Sequence, residues 1–381
     1  MTIRVMTVLG TRPEIIRLSR VLARLDDHTD HMLVHTGQNF DPELSQVFFE
    51  DLGLRSPDHR LDADTSSLGS FFGSVLTQIE PLIRKNRPDA MVVLGDTNSS
   101  IAALMARRMK VTVYHMEAGN RCFDENVPEE VNRRVIDHLA DFNLVYTEHA
   151  RRNLLREGLH PRRIYLTGSP LAEVLSYYRD AIEASSILDQ LDLLPNEYFL
   201  ASFHREESVD VPARLRTLVE GVGRVASDHK LPVVVSTHPR TRQRLEQYAV
   251  AVPASIRFLS PFGYFDYVHL QRHARCVLSD SGTISEESAI LGFPAVTIRE
   301  SMERPEAMDT GSILLSGLDS EVIADCVSTV LAQWDAGLRP ETPPDYRVLN
   351  CSQRVVNLIA GTARLNRTWI NVSPTTQTSE L

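Results

Sequence analysis

The sequence predicts an α/β fold built as two domains, each a parallel sheet covered by helices on both faces. Three observations predict it. Short apolar, β-branched runs alternate with longer helical patterns along nearly the whole chain. The runs are apolar throughout instead of alternating with polar residues, as strands buried on both faces are. And 381 residues exceed one ordinary domain of about 100–200 residues.

Taken in order, the pattern predicts strands over 3–9, 31–35, 90–94, 111–114, 142–146 and 163–166, with helices such as 13–25, 68–85 and 101–108 between them. Gly168-Ser169-Pro170 breaks the rhythm, which then restarts with strands over 198–202, 232–237, 256–259, 275–279 and 295–298. The expected domains are therefore 1–168 and 169–351, with the joint near 168–190. The tail from Asn371 to Leu381, of Ser, Thr, Gln and Pro, is expected to fray.

Hydrophobic content of 43% and charged content of 24% are ordinary for globular chains. A net charge of −10 and a pI near 5.7 argue against nucleic acid or an anionic membrane as partner. They leave room for a phosphorylated ligand, which needs only a few placed arginines and N–H groups. The strand-like start lacks signal-peptide features, and no run approaches the roughly 18–20 apolar residues of a membrane span. Cys122, Cys276, Cys326 and Cys351 form no CxxC pair, which fits free thiols in a reducing cytoplasm and offers no metal site.

Open parallel sheets bind ligands beyond the carboxyl ends of their strands, so the residues following each strand carry most weight. Gly10-Thr11-Arg12-Pro13-Glu14 follows the first. Glycine permits a tight turn, Pro13 suits a helix's first position, and a helix N-terminus attracts anions, so Arg12 and Arg17 can meet a diphosphate. An ordinary turn with solvated arginines explains the same residues. Leu94-Gly95-Asp96-Thr97-Asn98-Ser99 puts Asp96 where helix capping is a full structural explanation, its rival being a carboxylate aimed into a cleft. His115-Met116-Glu117-Ala118-Gly119-Asn120-Arg121 sets Glu117 after an apolar strand, beside small residues that allow close approach. A helix start follows at Val127-Pro128-Glu129-Glu130. Its apolar positions Val131, Val135 and Leu139 fall on one side and Glu129, Arg133 and Asp137 on another. The plain reading there is a surface Glu129–Arg133 pair worth about 0.3–0.5 kcal/mol.

In the second half, His204 of Ser202-Phe203-His204-Arg205 stands beside an arginine at a strand end, which suits phosphate, although a lone histidine is more often structural. Thr237-His238-Pro239-Arg240 repeats the idea. Ser279-Asp280-Ser281-Gly282-Thr283 opens a helix, where N–H groups at Ser281 and Gly282 can cradle a phosphate and Glu287 can meet ribose hydroxyls. The pattern is neither GxGxxG nor a Walker loop, so nicotinamide binding and ATP hydrolysis lose support. Met302-Glu303-Arg304-Pro305-Glu306 adds Arg304.

The ordered set GTRPE, GDTNSS, MEAG with PEEVNRR, SFHREESVD, STHPR, SDSGTISEE and MERPEA resembles the non-hydrolysing UDP-N-acetylglucosamine 2-epimerase family, from about residue 5 to residue 317. That resemblance implies a GT-B architecture of two Rossmann-like domains with an inter-domain active-site cleft for UDP. It also implies a C-terminal helix, near 352–370, returning to the first domain, a homodimer, and no cofactor. Within the family, the stretch from His115 to Pro128, Arg17 where many relatives have Lys, and Thr283 where glucosamine enzymes usually have a second Gly are similar to one branch. That branch makes UDP-N-acetyl-L-fucosamine from its talose epimer for capsule or O-antigen. An Asn120–Val127 loop selecting a 6-deoxy sugar would use Phe123 or Val127 as an apolar wall.

The chemistry implied is elimination of UDP from a UDP-N-acetylated hexosamine to a 2-acetamidoglycal, then re-addition with C-2 inverted. Carried over motif by motif, Asp96, Glu117 and Glu129 are the catalytic carboxylates, with His204 counted beside them. Arg12, Arg17, Arg133, His204 and Arg304 face the diphosphate or its surroundings, Ser281 and Gly282 the phosphate, and Glu287 the ribose. Some relatives respond to substrate at a second site through a Gln-His segment. Here that region reads Thr36-Gly37-Gln38-Asn39-Phe40-Asp41-Pro42, a departure that argues against such regulation. The rivals are a GT-B glycosyltransferase, a hydrolysing epimerase and a nucleotide-sugar-binding regulator.

Overall fold

The structure, a computed structural model, describes residues 2–38, 48–125 and 127–369. The expectations for Asn39 to Pro42, for Asn126 and for the 371–381 tail therefore lie outside the described residues. The chain divides into two compact units, Met1–Ser176 with Val348–Leu381, and Tyr177–Arg347. Each is Rossmann-like.

Among the described residues the first unit holds a seven-stranded parallel sheet in the order β3-β2-β1-β4-β5-β6-β7. The strands are β1 (Arg4–Leu9), β2 (Asp30–His35), β3 (His59–Arg60), β4 (Ala90–Leu94), β5 (Thr112–Met116), β6 (Phe142–Val145) and β7 (Ile164–Leu166). Met6, Val8, Met91, Val93 and Val113 pack under Phe71, Val75 and Ile79 of helix Leu68–Asn86 and under Ala102 and Ala106. On helix Arg12–His28, Ile15, Leu18, Val21, Leu22 and Leu25 are buried, and helix Cys351–Thr362 packs against it. The Arg24 Nε donates to Ser352 Oγ at 3.1 Å across that contact.

The second unit holds, among the described residues, a six-stranded parallel sheet ordered β10-β9-β8-β11-β12-β13. Its strands are β8 (Phe199–Ser202), β9 (Val233–Ser236), β10 (Ile256–Leu259), β11 (Cys276–Ser279), β12 (Ala295–Thr297) and β13 (Leu314–Leu315). Phe199, Ala201, Val233 and Val235 face one hydrophobic cluster with Leu218, Val222 and Ile323. Leu200, Val234 and Val277 face another with Leu270, Ile284 and Tyr346. Both faces are covered, which is why these strands read as unbroken apolar runs.

Every strand anticipated from the sequence is present. β3 and β13 were not anticipated; each is a two-residue edge strand with no room for a pattern. Helix Pro128–Leu139 needs a correction: Val131 and Val135 face outward, while Glu130, Arg133, Ile136 and Asp137 are buried. Burying charge is unfavourable unless it is paired, and here each charge finds a partner inside. Among the described residues no helix is long and apolar enough to cross a membrane.

Candidate active site

The order of each sheet changes direction between two neighbouring strands, β1 and β4 in the first unit and β8 and β11 in the second. Loops diverge there and leave a crevice at the carboxyl ends. The motifs after β1, β4, β8 and β11 sit at these points, and those after β5, β9 and β12 follow adjacent strands of the same sheets.

In the first unit, Glu14 joins the loops after β1 and β4. Its Oε2 accepts from the Gly10 and Thr11 N–H groups at 3.0 and 2.8 Å, and its Oε1 accepts from Thr97 Oγ1 at 3.0 Å. Burial pushes the Glu14 carboxyl up to about 7, against the pull of those donors. Arg12 lies over the Phe48 ring at 5.2 Å. Arg17 is buried, with Nη1 3.3 Å from Glu117 Oε2 and its guanidinium 5.8 Å from the Tyr146 ring centre.

Asp96 does not cap a helix; Thr97 holds the N-cap position of the short 3-10 turn Asn98–Ile101, with its hydroxyl turned to Glu14. Its carboxylate accepts from both Nε, at 3.1 Å, and Nη2 of Arg133. The Asn132 amide donates to the Asp96 carbonyl at 2.9 Å. Arg133 also meets Glu130 at 2.8 Å, where the sequence suggested Glu129. Burial pushes the Glu130 carboxyl up, but the Cys122 N–H and the Arg133 guanidinium outweigh it and hold Glu130 below its ordinary range. Glu129 stands half-buried on the same first turn. Glu117 follows β5 directly, in the left-handed region at φ 63°. That conformation costs a non-glycine residue about 1–2 kcal/mol. A Cβ placed on Gly95 would lie 3.7 Å from Glu117 Oε2, so this carboxylate sits against the loop that carries Asp96.

In the second unit, the backbone N–H groups of His204 and Arg205 donate to Asp280 Oδ2 at 2.8 and 2.9 Å, and His204 Nδ1 is 3.1 Å from Asp280 Oδ1. Burial raises the Asp280 carboxyl, yet the His204 ring and these donors hold it below the usual carboxylate range. Ser281 N–H is taken by Ser279 Oγ at 3.0 Å. A Cβ on Gly282 would meet Glu303 Oε1 at 2.4 Å, Arg304 Nη1 at 3.2 Å and Arg205 Nη2 at 3.5 Å, so a side chain there would displace the Glu303 carboxylate. Arg304 Nη1 donates to the Gly282 carbonyl, and Arg299 Nη1 holds Glu303 at 2.8 Å. Glu287 Oε2 accepts from the Gln271 amide at 2.6 Å. Among the described residues no cluster of three or more His, Cys, Asp or Glu side chains is arranged to hold a metal ion.

With this geometry in hand, comparison with known proteins decides the family. A profile of the UDP-N-acetylglucosamine 2-epimerase family matches residues 23–360. The chain belongs to that family. It is accordingly an isomerase with the GT-B type of fold. A solved UDP-N-acetylglucosamine 2-epimerase from Rickettsia bellii is 41% identical with a TM-score of 0.89, over 97% of this chain and 100% of that one. The Methanocaldococcus jannaschii UDP-GlcNAc 2-epimerase, solved with UDP-GlcNAc and UDP, is 32% identical with a TM-score of 0.88, over 94% and 100%. A UDP-2,3-diacetamido-2,3-dideoxy-D-glucuronate 2-epimerase from Pseudomonas aeruginosa is 33% identical over 87% of this chain and 93% of its own.

For a 2-epimerase the structure brings together Arg17 with Glu117, Asp96 with Arg133, and Gly282 with Arg304. Sequence reasoning missed Glu14, Glu130, Asp280 and Arg299. Glu130 is adjacent to Glu129, and only the helix rotation decides which of the two is buried. Asp280 lay inside a quoted motif, and its place one residue past an apolar strand was the signal.

Proposed function

We propose that this chain is a non-hydrolysing UDP-N-acetylhexosamine 2-epimerase that works by elimination and re-addition of UDP. The C-2 proton has no adjacent carbonyl, so simple exchange is closed to it. A base takes that proton, its electron pair becomes the C-1–C-2 double bond, and the C-1–oxygen bond breaks as UDP leaves with its electrons. An acid then returns a proton to the other face of C-2 as UDP oxygen re-bonds to C-1. Two faces call for two proton carriers. The observation that carries the reading is the pair Asp96 and Glu117, at the ends of neighbouring strands β4 and β5, each held by a buried arginine. Glu129 shares this work or positions the sugar. In the second unit, Arg304, Gly282 and His204 bind the leaving diphosphate, the electrostatic half of the catalysis, and Glu287 the ribose.

Two sugars fit this chemistry. UDP-N-acetylglucosamine is supported by the names of the Rickettsia and Methanocaldococcus relatives. The 6-deoxy L-talo/L-fuco pair is supported by the likeness of the His115–Pro128 stretch, Arg17 and Thr283 to that branch. That the Pseudomonas relative, at 33% identity, is named for a third sugar means overall likeness leaves the choice to the pocket. Incubation with each UDP-sugar in deuterated water, followed by proton NMR, tests the proposal. An epimer deuterated at C-2 supports it, and free sugar or a requirement for an acceptor overturns it.

The homodimer belongs to the same proposal. Val131 and Val135 are 59% and 47% exposed, and Leu104 is exposed on the adjoining helix Ala102–Arg108. Apolar side chains on neighbouring helices support a face covered by a second copy. Light scattering should give twice the chain mass, falling to one mass in the Val131→Asp, Val135→Asp double variant; a wild-type monomer removes the idea.

A further inference from the structure

His115, on β5, is fully buried, and its ring is anchored on both sides. Nε2 lies 2.8 Å from the Gly95 carbonyl, which can only accept, so Nε2 donates. Nδ1 lies 2.9 Å from Asp137 Oδ1. Asp137, also fully buried, accepts from the Gly119 N–H at 3.1–3.2 Å and from Arg121 Nη1 at 2.7 Å.

These contacts have a common destination. Gly95 directly precedes Asp96. Gly119 lies two residues after Glu117 and His115 two residues before it, so both flanks of the left-handed turn are fixed to Asp137. Asp137 itself lies one turn beyond Arg133 on helix Pro128–Leu139. One histidine–aspartate pair therefore ties together the three segments that carry Asp96, Glu117 and Arg133. None of its own polar atoms is needed for contact with substrate.

We infer that His115 and Asp137 are positioning residues that set the spacing of the Asp96 and Glu117 carboxylates and keep elimination coupled to re-addition. This rests on the epimerase reading above. Their removal displaces the proton carriers while leaving the nucleotide site of the second unit, built on Asp280, Gly282 and Arg304, intact. A misplacement of about 1 Å far from the reacting atoms can cost about 100-fold in rate. Loss of the returning acid's alignment also lets the glycal and UDP escape before re-addition.

Asparagine at 115 can keep the contact to Asp137 and loses the one to Gly95; glutamine does the reverse. Wild type, His115→Asn, His115→Gln and Asp137→Asn are assayed with the UDP-sugar that wild type turns over best, with UDP affinity measured by calorimetry. The expected result is a fall in kcat of about 10- to 100-fold. KM and the UDP Kd should stay within about threefold. The ratio of released 2-acetamidoglycal to epimer, read by NMR, should rise in each variant. Should the asparagine variant not fold, His115→Gln carries the test. A kcat within about twofold of wild type in the folded variants overturns the inference. So does an equal loss of kcat and UDP affinity with no change in the glycal ratio, which is the mark of general disruption. Failure of the epimerase reading is separate: wild type itself would then make no epimer.

Discussion

At the scale of a single residue, the proposed chemistry rests most on Glu117. Its left-handed backbone and its contact with buried Arg17 hold one carboxylate against the loop of Asp96. Glu117→Gln removes the proton carrier and keeps the shape, so kcat should fall by about 100- to 10,000-fold, the usual worth of a general base or acid, with UDP affinity nearly unchanged in calorimetry. Turnover near the wild-type rate would take Glu117 out of the mechanism. The motif made Glu117 legible; its backbone conformation was not, because nothing in a sequence marks a glutamate as left-handed. Glu14 was invisible for another reason. Its glutamate suits an ordinary helix first turn, and only burial between two loops distinguishes it. With its carboxyl raised from 4.5 to about 7, the folded state prefers the protonated form. The associated stability is therefore full below pH 4.5 and is lost as pH rises through about 7. Between pH 5.5 and 8 the wild type should lose about 2 kcal/mol more than Glu14→Gln in denaturant unfolding. Parallel losses in the two proteins would contradict the assignment.

Among the elements, the strands were the most readable part of the chain. Burial on both faces writes itself as continuous Val, Leu and Ile, and the motifs lie in the segments that follow β1, β4, β5, β8, β9, β11 and β12. Helix Pro128–Leu139 shows where such reading stops. With Val131, Val135 and Leu139 on one side and Glu129, Arg133 and Asp137 on another, its pattern reads as an amphipathic surface helix, but the polar side is the inner one because Asp96, His115 and Arg121 pair the buried charges. Polarity alone cannot tell a solvated face from a charged interior. The junction after β11 yields a sharper expectation. Gly282 is walled by Glu303, Arg304 and Arg205, and a methyl group at this point forces Glu303 away from Gly282. Gly282→Ala should weaken UDP binding by about tenfold, or about 1.4 kcal/mol, in calorimetry with thermal stability little changed. Undiminished affinity would move the phosphate site away from this junction.

For the molecule as a whole, two sheets with their order reversing at β1/β4 and β8/β11 supply two crevices, one lined by carboxylates and one by phosphate-suited groups. That division of labour matches a reaction in which UDP must leave and return while a proton is exchanged at carbon. The choice of sugar is the finer point. A hydroxyl at C-6 set against an apolar wall of Phe123 or Val127 would lose water without a new partner, a penalty of about 1–3 kcal/mol. The 6-deoxy L-talo/L-fuco substrate should then exceed UDP-N-acetylglucosamine in kcat/KM by at least about tenfold. Equal or better efficiency with UDP-N-acetylglucosamine would assign that sugar and leave the epimerase chemistry standing.

The claim that UDP departs and returns is tested most directly by oxygen-18 placed in the bridge between C-1 and the β-phosphorus of the preferred UDP-sugar. While UDP is detached its terminal phosphate rotates, so recovered substrate and epimer should carry the label in non-bridging positions, together with deuterium at C-2 from the solvent. Deuterium at C-2 with every label still in the bridge would contradict elimination and re-addition.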